Sequence, residues 1–207
     1  MKKVLFFYVF FLITQGYSQT NWQRFKKLSC KSKAWILLHP FKAKKALQIS
    51  NEATKVADSI AKTPLLDGDK SGGQVDAFRH AYWMARLHQE IGKNAARSLG
   101  KAHEKDNYRQ FKKRTKEDGI VPDEISSEMD LYNNSVGLTF TKKRKPQPKD
   151  GLIYSIANSI LAGNLKILKK DANGNYVTCN NKIILPKELK NKWKNNKCLI
   201  NSNIKTE

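Results

Sequence analysis

GGQVDAFRHAYWMARLH, residues 72–88, reads as the most apolar helix of the chain, yet it sets Asp76, Arg79 and His80 among Val, Phe, Ala, Tyr, Trp, Met and Leu. At about 100° per residue, Asp76, His80, Trp83 and Leu87 fall within one narrow arc, beside Ala77, Ala81 and Met84, whereas Arg79, Arg86 and Glu90 gather on another side. An acid and an imidazole therefore stand one turn apart at the rim of the buried face. At that separation they can share a proton or a ligand.

Two later stretches repeat the insertion. In KNAARSLGKAHEKDNYRQF, residues 93–111, His103 shares its face with Ala96, Leu99 and Gly100, and Glu104 stands next to it. In SEMDLYNNSVGLTFTK, expected to be helical over 127–142, Asp130, Asn133, Asn134, Gly137 and Thr141 form a polar stripe. Leu131 and Leu138 flank it on one side, and Met129, Tyr132, Val136 and Phe140 on the other, so the stripe is expected to be buried. A buried polar group left unsatisfied costs about 1–3 kcal/mol, and a charged one more, so such side chains should meet one another. The economical arrangement is one polar cluster between three helices, holding Asp76, His80, His103, Glu104, Asp130, Asn133 and Asn134, with Arg79 close by.

Around these three helices the chain reads as mainly α, one helical domain with a small C-terminal β hairpin. Helical spacing also covers residues 22–38, 41–61 and 152–162, with a break at Pro40. Gly72 and Gly73 close the loop before the quoted helix, and Ser126 or Ser127 is expected to cap the 127–142 helix. From residue 164 the period changes. LKILKK, a turn at DANGNY, then YVTC and KIILP suggest a ribbon before a last short helix near Lys187–Trp193. The expected division is a leader at 1–18, the helical domain with its site at 19–163, and a small β-containing extension at 164–207.

The leader reading comes from MKKVLFFYVFFLITQGYSQ. Lys2 and Lys3 precede an apolar run from Val4 to Ile13, and Gly16 and Ser18 stand at signal-peptidase spacing. The run is far shorter than the roughly 20 residues that span a bilayer, which points to a secreted or periplasmic protein rather than an anchored one. In an oxidising compartment Cys179 and Cys198 can close a 19-residue span, while Cys30 is left over as an expected buried thiol. The spacing of the three cysteines matches no zinc pattern.

With 39 Lys and Arg against 18 Asp and Glu, the formal net charge is +21. Loss of Lys2 and Lys3 with the leader leaves +19. A field of this sign attracts polyanions: nucleic acid, phospholipid head groups or an anionic envelope polymer. The basic residues are spread along the chain, as a solvated coat would be.

The blocks DAFRHAYW (76–83), AHE (102–104) and MDLYNNSVG (129–137), preceded by WILLHP (35–40), resemble the signature of an uncharacterised bacterial domain family found in secreted, sometimes toxin-like proteins. The resemblance covers about residues 30–142. It implies that Asp76, Arg79, His80, Trp83, His103, Glu104, Asp130, Asn133 and Asn134 are the family's marked positions, and it supplies no reaction.

The residues themselves suggest a hydrolase, with His80, Asp76, His103, Glu104 and Asp130 as candidate catalytic groups and Arg79, Asn133 and Asn134 as candidate substrate-binding groups. One form uses a divalent metal ion, zinc, manganese or iron, on the two imidazoles and the carboxylates, with a bound water as nucleophile. A metal-free form uses His80 as general base, oriented by Asp76 or Asp130, with Arg79 or an Asn amide facing the developing oxyanion. The charge favours a phosphodiester or phospholipid substrate. The contrasting reading is a non-catalytic basic binding protein for nucleic acid or an anionic envelope polymer, whose polar cluster only fixes helix register.

Overall fold

The apolar face of the quoted helix finds partners on nearly every side. In the computed structural model, which describes residues 28–114, 121–145 and 147–204 together with Gln23, Phe25 and Lys26, the elements run α1 (Cys30–Leu38), α2 (Pro40–Ile60), α3 (Gln74–Ile91), α4 (Lys93–Lys113), α5 (Glu124–Gly137), α6 (Lys149–Leu161), β1 (Lys166–Leu168), α7 (Pro186–Leu189) and β2 (Leu199–Asn201). The expected leader, residues 1–18, lies outside the described residues. No helix among the described residues is long and apolar enough to cross a membrane.

Local chemistry explains the boundaries. Ser29 interrupts the helix expected over 22–38, because its hydroxyl accepts from the backbone N–H groups of Lys31 and Ser32 and so starts α1 afresh. Pro40 opens α2 at its first position, where a missing N–H removes nothing. Asp123, rather than Ser126 or Ser127, caps α5: its carboxylate accepts from Ser126 N while the Ser126 hydroxyl accepts from Asp123 N, which completes a capping box. That moves the helix start three residues ahead of the expected one. The helix also stops at Gly137, so Thr141 lies beyond it.

α3 packs against α2, α4, α5, α6 and β1. One apolar cluster joins Val75, Phe78 and Tyr82 of α3 to Ala53 and Ala57 of α2 and to Leu152, Ile156 and Ile160 of α6. A second joins Met84, Leu87 and Ile91 to Trp35, Ile49, Ala96 and Leu138. On α2, Ile49 is buried and Leu47 is exposed. The tail shares the first cluster through Leu165 and Ile167.

The small sheet is antiparallel, as expected, but β1 pairs with β2 in the register Lys166↔Asn201 and Leu168↔Leu199. YVTC and KIILP contribute single bridges, Lys170↔Tyr176 and Val177↔Ile183. Cys179 and Cys198 form a disulfide with their Cα atoms 4.8 Å apart, and Cys30, contrary to expectation, is exposed at the first position of α1. At that position its side chain faces away from the buried Trp35 side of α1 toward solvent.

The α3–α5 crossing is a close one. A Cβ added at Gly137 would lie 2.7 Å from Ala81 Cα and closer still to the Ala81 carbonyl oxygen. The same seam continues as Thr141 Oγ1 donates to Ala85 O (2.7 Å) and as His88 Nδ1 meets Leu138 O (2.9 Å). Because the obstructing atoms are backbone, Gly137→Ala is expected to destabilise the fold by about 3 kcal/mol, the upper end of overpacking costs. Urea unfolding followed by tryptophan fluorescence measures this, and an unchanged midpoint would show that the helices can separate without loss.

Candidate functional site

The site begins in the loop before α3. Asp67 accepts from the backbone N–H groups of Asp69 (2.9 Å) and Gln74 (2.7 Å), and Asp69 accepts from Ser71 (2.9 Å). Lys170 from the tail pairs with Asp69 and donates to Ser71 O (2.8 Å). Burial holds the Asp67 carboxyl above the usual carboxylate range despite its backbone donors. A side chain at Gly73 would press on the Asp67 and Asp69 side chains, so the chain can turn into α3 here only as glycine.

Asp76, in the first turn of α3, reaches back to accept from Gly72 N (2.7 Å) through Oδ2, while its Oδ1 takes Arg79 Nη2 (2.6 Å). One turn on, His80 is almost fully buried. Its Nδ1 lies 3.3 Å from Asn134 Oδ1 on α5, an acceptor that assigns the ring proton to Nδ1. Nε2 is left facing Asp130 Oδ1 (3.3 Å), Asp76 Oδ1 (3.6 Å) and Arg79 Nη2 (3.3 Å). Asp76, His80 and Asp130 each offer a ligand atom within 4.8 Å of the others, and all three are buried. The wheel put Arg79 on another side of the helix. Its length folds the guanidinium back onto the cluster.

The other sequence-derived positions divide. His103 packs its ring against Trp83 (centroids 5.5 Å apart) and lies 6.2 Å from the His80 ring, facing a separate cavity of about 500 Å³ that Trp35 and Trp83 also line. Glu104 is buried and accepts from Asn107 Nδ2 (2.9 Å). The ligand atoms that group within 4.8 Å are those of Asp76, His80 and Asp130. The α5 stripe is buried as expected, although Leu131 and Tyr132 of its flanks are about 40 % exposed. Asn133, fully buried, turns to the tail: Nδ2 donates to Lys166 O and Oδ1 accepts from Lys166 N, both at 2.9 Å. It pairs with β1 as a strand would. Asn134 is the carboxamide that serves His80.

Asp76, Arg79 and Asp130 open onto a cavity of about 50 Å³ whose wall also includes Gly72, Asn107, Tyr176 and Lys197. This is room for one or two waters, or for the tip of an anionic group. Asn107 Oδ1, from the cavity wall, and Asn134 Nδ2 are buried without a hydrogen-bond partner among the described residues. Asn107 lies one turn beyond His103, so extending the wheel of α4 by four residues would have found it. Tyr176 and Lys197 come from the tail, where no local pattern marks them. Lys197 is buried against Asp123 Oδ2 (2.6 Å) and sits 3.8 Å from the Tyr176 ring centre, and burial pushes the Tyr176 phenol up.

A family model for a domain of unknown function, DUF6973, matches residues 33–164. The chain belongs to that family. The DUF6973 span takes in α2 to α6 and all of the Asp76, Arg79, His80, Asp130 and Asn134 constellation, while Tyr176 and Lys197 lie beyond it. No curated protein and no solved structure matches the chain.

Because Asp76 is the acceptor for both a buried backbone N–H and the Arg79 guanidinium, Asp76→Ala is expected to destabilise the protein by about 3 kcal/mol, the lower end for breaking a buried ion pair. Chemical denaturation at pH 7 measures it. A loss under about 0.5 kcal/mol would mean that water replaces the carboxylate at no penalty.

Proposed function

We propose that this DUF6973 chain is an exported hydrolase that cleaves a phosphodiester at the Asp76, Arg79, His80 and Asp130 site. The observation that carries the reading is the setting of His80 Nε2: Asn134 holds the proton on the other ring nitrogen, two carboxylates face Nε2 at 3.3 and 3.6 Å, and a guanidinium stands 3.3 Å away. Nε2 takes a proton from a water molecule as that water's oxygen bonds to phosphorus. Asp76 and Asp130 stabilise the imidazolium so formed, and Arg79 faces the charge gathering on the phosphoryl oxygens. As the P–O bond to the leaving group breaks, the imidazolium returns the proton to the leaving oxygen, and the ring is restored.

A second reading has its own observation, the 4.8 Å grouping of Asp76, His80 and Asp130. These three would hold a divalent cation such as zinc, manganese or iron, which supplies a water of lowered pKa at neutral pH. Arg79 would then have to leave Asp76. Export is supported by the leader-like N-terminus and agrees with the Cys179–Cys198 disulfide, since such bonds persist in oxidising compartments. A toxin-like role outside the producing cell is compatible with both readings.

The test is hydrolysis of bis(p-nitrophenyl) phosphate by purified protein. His80→Ala is expected to lower the rate at least 100-fold with the melting temperature checked alongside, in line with loss of a general base. A variant that keeps the parental rate sinks the proposal, as does a parent protein that is inert both as purified and after incubation with zinc, manganese or iron. Dialysis against EDTA separates the two forms: retained activity supports the guanidinium form, and activity lost and then restored by one of those metals supports the cation form.

A further inference from the structure

Beside the site lies a larger concavity, of about 970 Å³, formed by the end of α4, the start of α5 and the tail around α7. Its wall carries Lys112, Arg114, Lys187, Lys190 and Lys192, none of which makes an ion pair among the described residues. The carboxylate in this wall, Asp123, is already taken by Lys197. Like charges gathered around a concave wall reinforce one another's field, so the groove concentrates anions more strongly than the same lysines scattered over a convex coat. Pro122, Tyr176 and Lys197 line both this groove and the small cavity of Asp76, Arg79 and Asp130, so the two spaces share a wall.

Two features choose among anions. Pro122 and Ile184 are buried at the floor while the cations are exposed at the rim, the reverse of a membrane-inserting face, where apolar side chains project past the basic ones. At one end, Phe111 lines the groove and packs against Trp193 (5.3 Å between centroids), which packs on Tyr108 (4.9 Å), itself 43 % exposed. A basic groove with aromatic rings at its margin is the recognition pattern of unpaired bases, whose faces stack while the backbone follows the cations.

We propose that this groove binds single-stranded nucleic acid and presents a phosphodiester of the strand to the adjoining site. The proposal rests on the phosphodiester reading of that site for the substrate's fate, and on the groove alone for its binding.

The experiment uses the whole protein and fluorescein-labelled dT12 and U12, with anisotropy read between 50 and 200 mM NaCl. Five engaged cations predict a slope of log affinity against log salt near about −3.5, from about 0.7 per phosphate contact on single strands. Lys187→Glu/Lys190→Glu/Lys192→Glu is expected to weaken binding at least tenfold and to flatten the slope by about 2. The charge-matched control Lys44→Glu/Lys55→Glu/Lys101→Glu, at exposed positions on α2 and α4, is expected to stay within threefold of the parent. Equal losses in the two triple variants would assign binding to the general coat and overturn the proposal. So would dextran sulfate competing as well as dT12 per unit charge, or binding to phosphatidylglycerol vesicles with none to either oligonucleotide. Oligonucleotide binding without any bis(p-nitrophenyl) phosphate hydrolysis would leave the groove standing and remove only the hydrolytic reading.

Discussion

Two residues without bulk make the molecule possible. Gly137 of α5 lies against the backbone of Ala81 of α3, and no side chain larger than hydrogen fits at the crossing. Only at that separation can Asn134 and Asp130, one and two turns back along α5, reach His80, the residue next to Ala81. Gly100 on α4 has a milder version of the same role, since a Cβ there would sit 3.4 Å from Asn134 Nδ2 and from Met84. The polar cluster is therefore a consequence of close helix packing at small residues, and any widening of the α3–α5 seam would separate its members before it disturbed the apolar clusters on either side.

The second constraint is electrostatic. Two carboxylates set side by side in a nearly dry space repel each other unless something answers their charge. Here the answer is local: the Gly72 N–H and the Arg79 guanidinium on Asp76, and the Asn134 carbonyl on the imidazole. Asp76 also stands in the first turn of α3, where the helix dipole favours an anion. The same side chains that make the cluster tolerable are the ones that turn Nε2 toward two carboxylates and a guanidinium, so stability and the setting of the imidazole have one origin.

The tail is bound into this arrangement. Asn133 holds β1 by two backbone hydrogen bonds, Glu124 N donates to Trp193 O (3.0 Å), and Asn195 Nδ2 and Lys197 Nζ share Asp123 Oδ2, so the start of α5 is clamped by residues more than sixty positions later. The disulfide between Cys179 and Cys198 shortens that excursion. In this way Tyr176 and Lys197, outside the DUF6973 span, come to wall a cavity whose Asp76, Arg79 and Asp130 lie inside it.

Much of this was legible in the chain itself. The spacing of Asp76 and His80 within an apolar helix, and of Asp130, Asn133 and Asn134 within another, determined that polar groups face inward, because a 3.6-residue period assigns faces whatever the neighbours are. It also determined the mainly helical architecture. Periodicity carries no information about which inward group meets which. It could not tell Asn133, spent on β1, from Asn134, placed on His80, nor send His103 to a different cavity from its neighbour in the blocks, nor foresee that a flexible arginine from another face would close the cluster. Those outcomes depend on interhelical distance and on side-chain reach, quantities that exist only once Gly137 has met Ala81 and the tail has folded back over the start of α5.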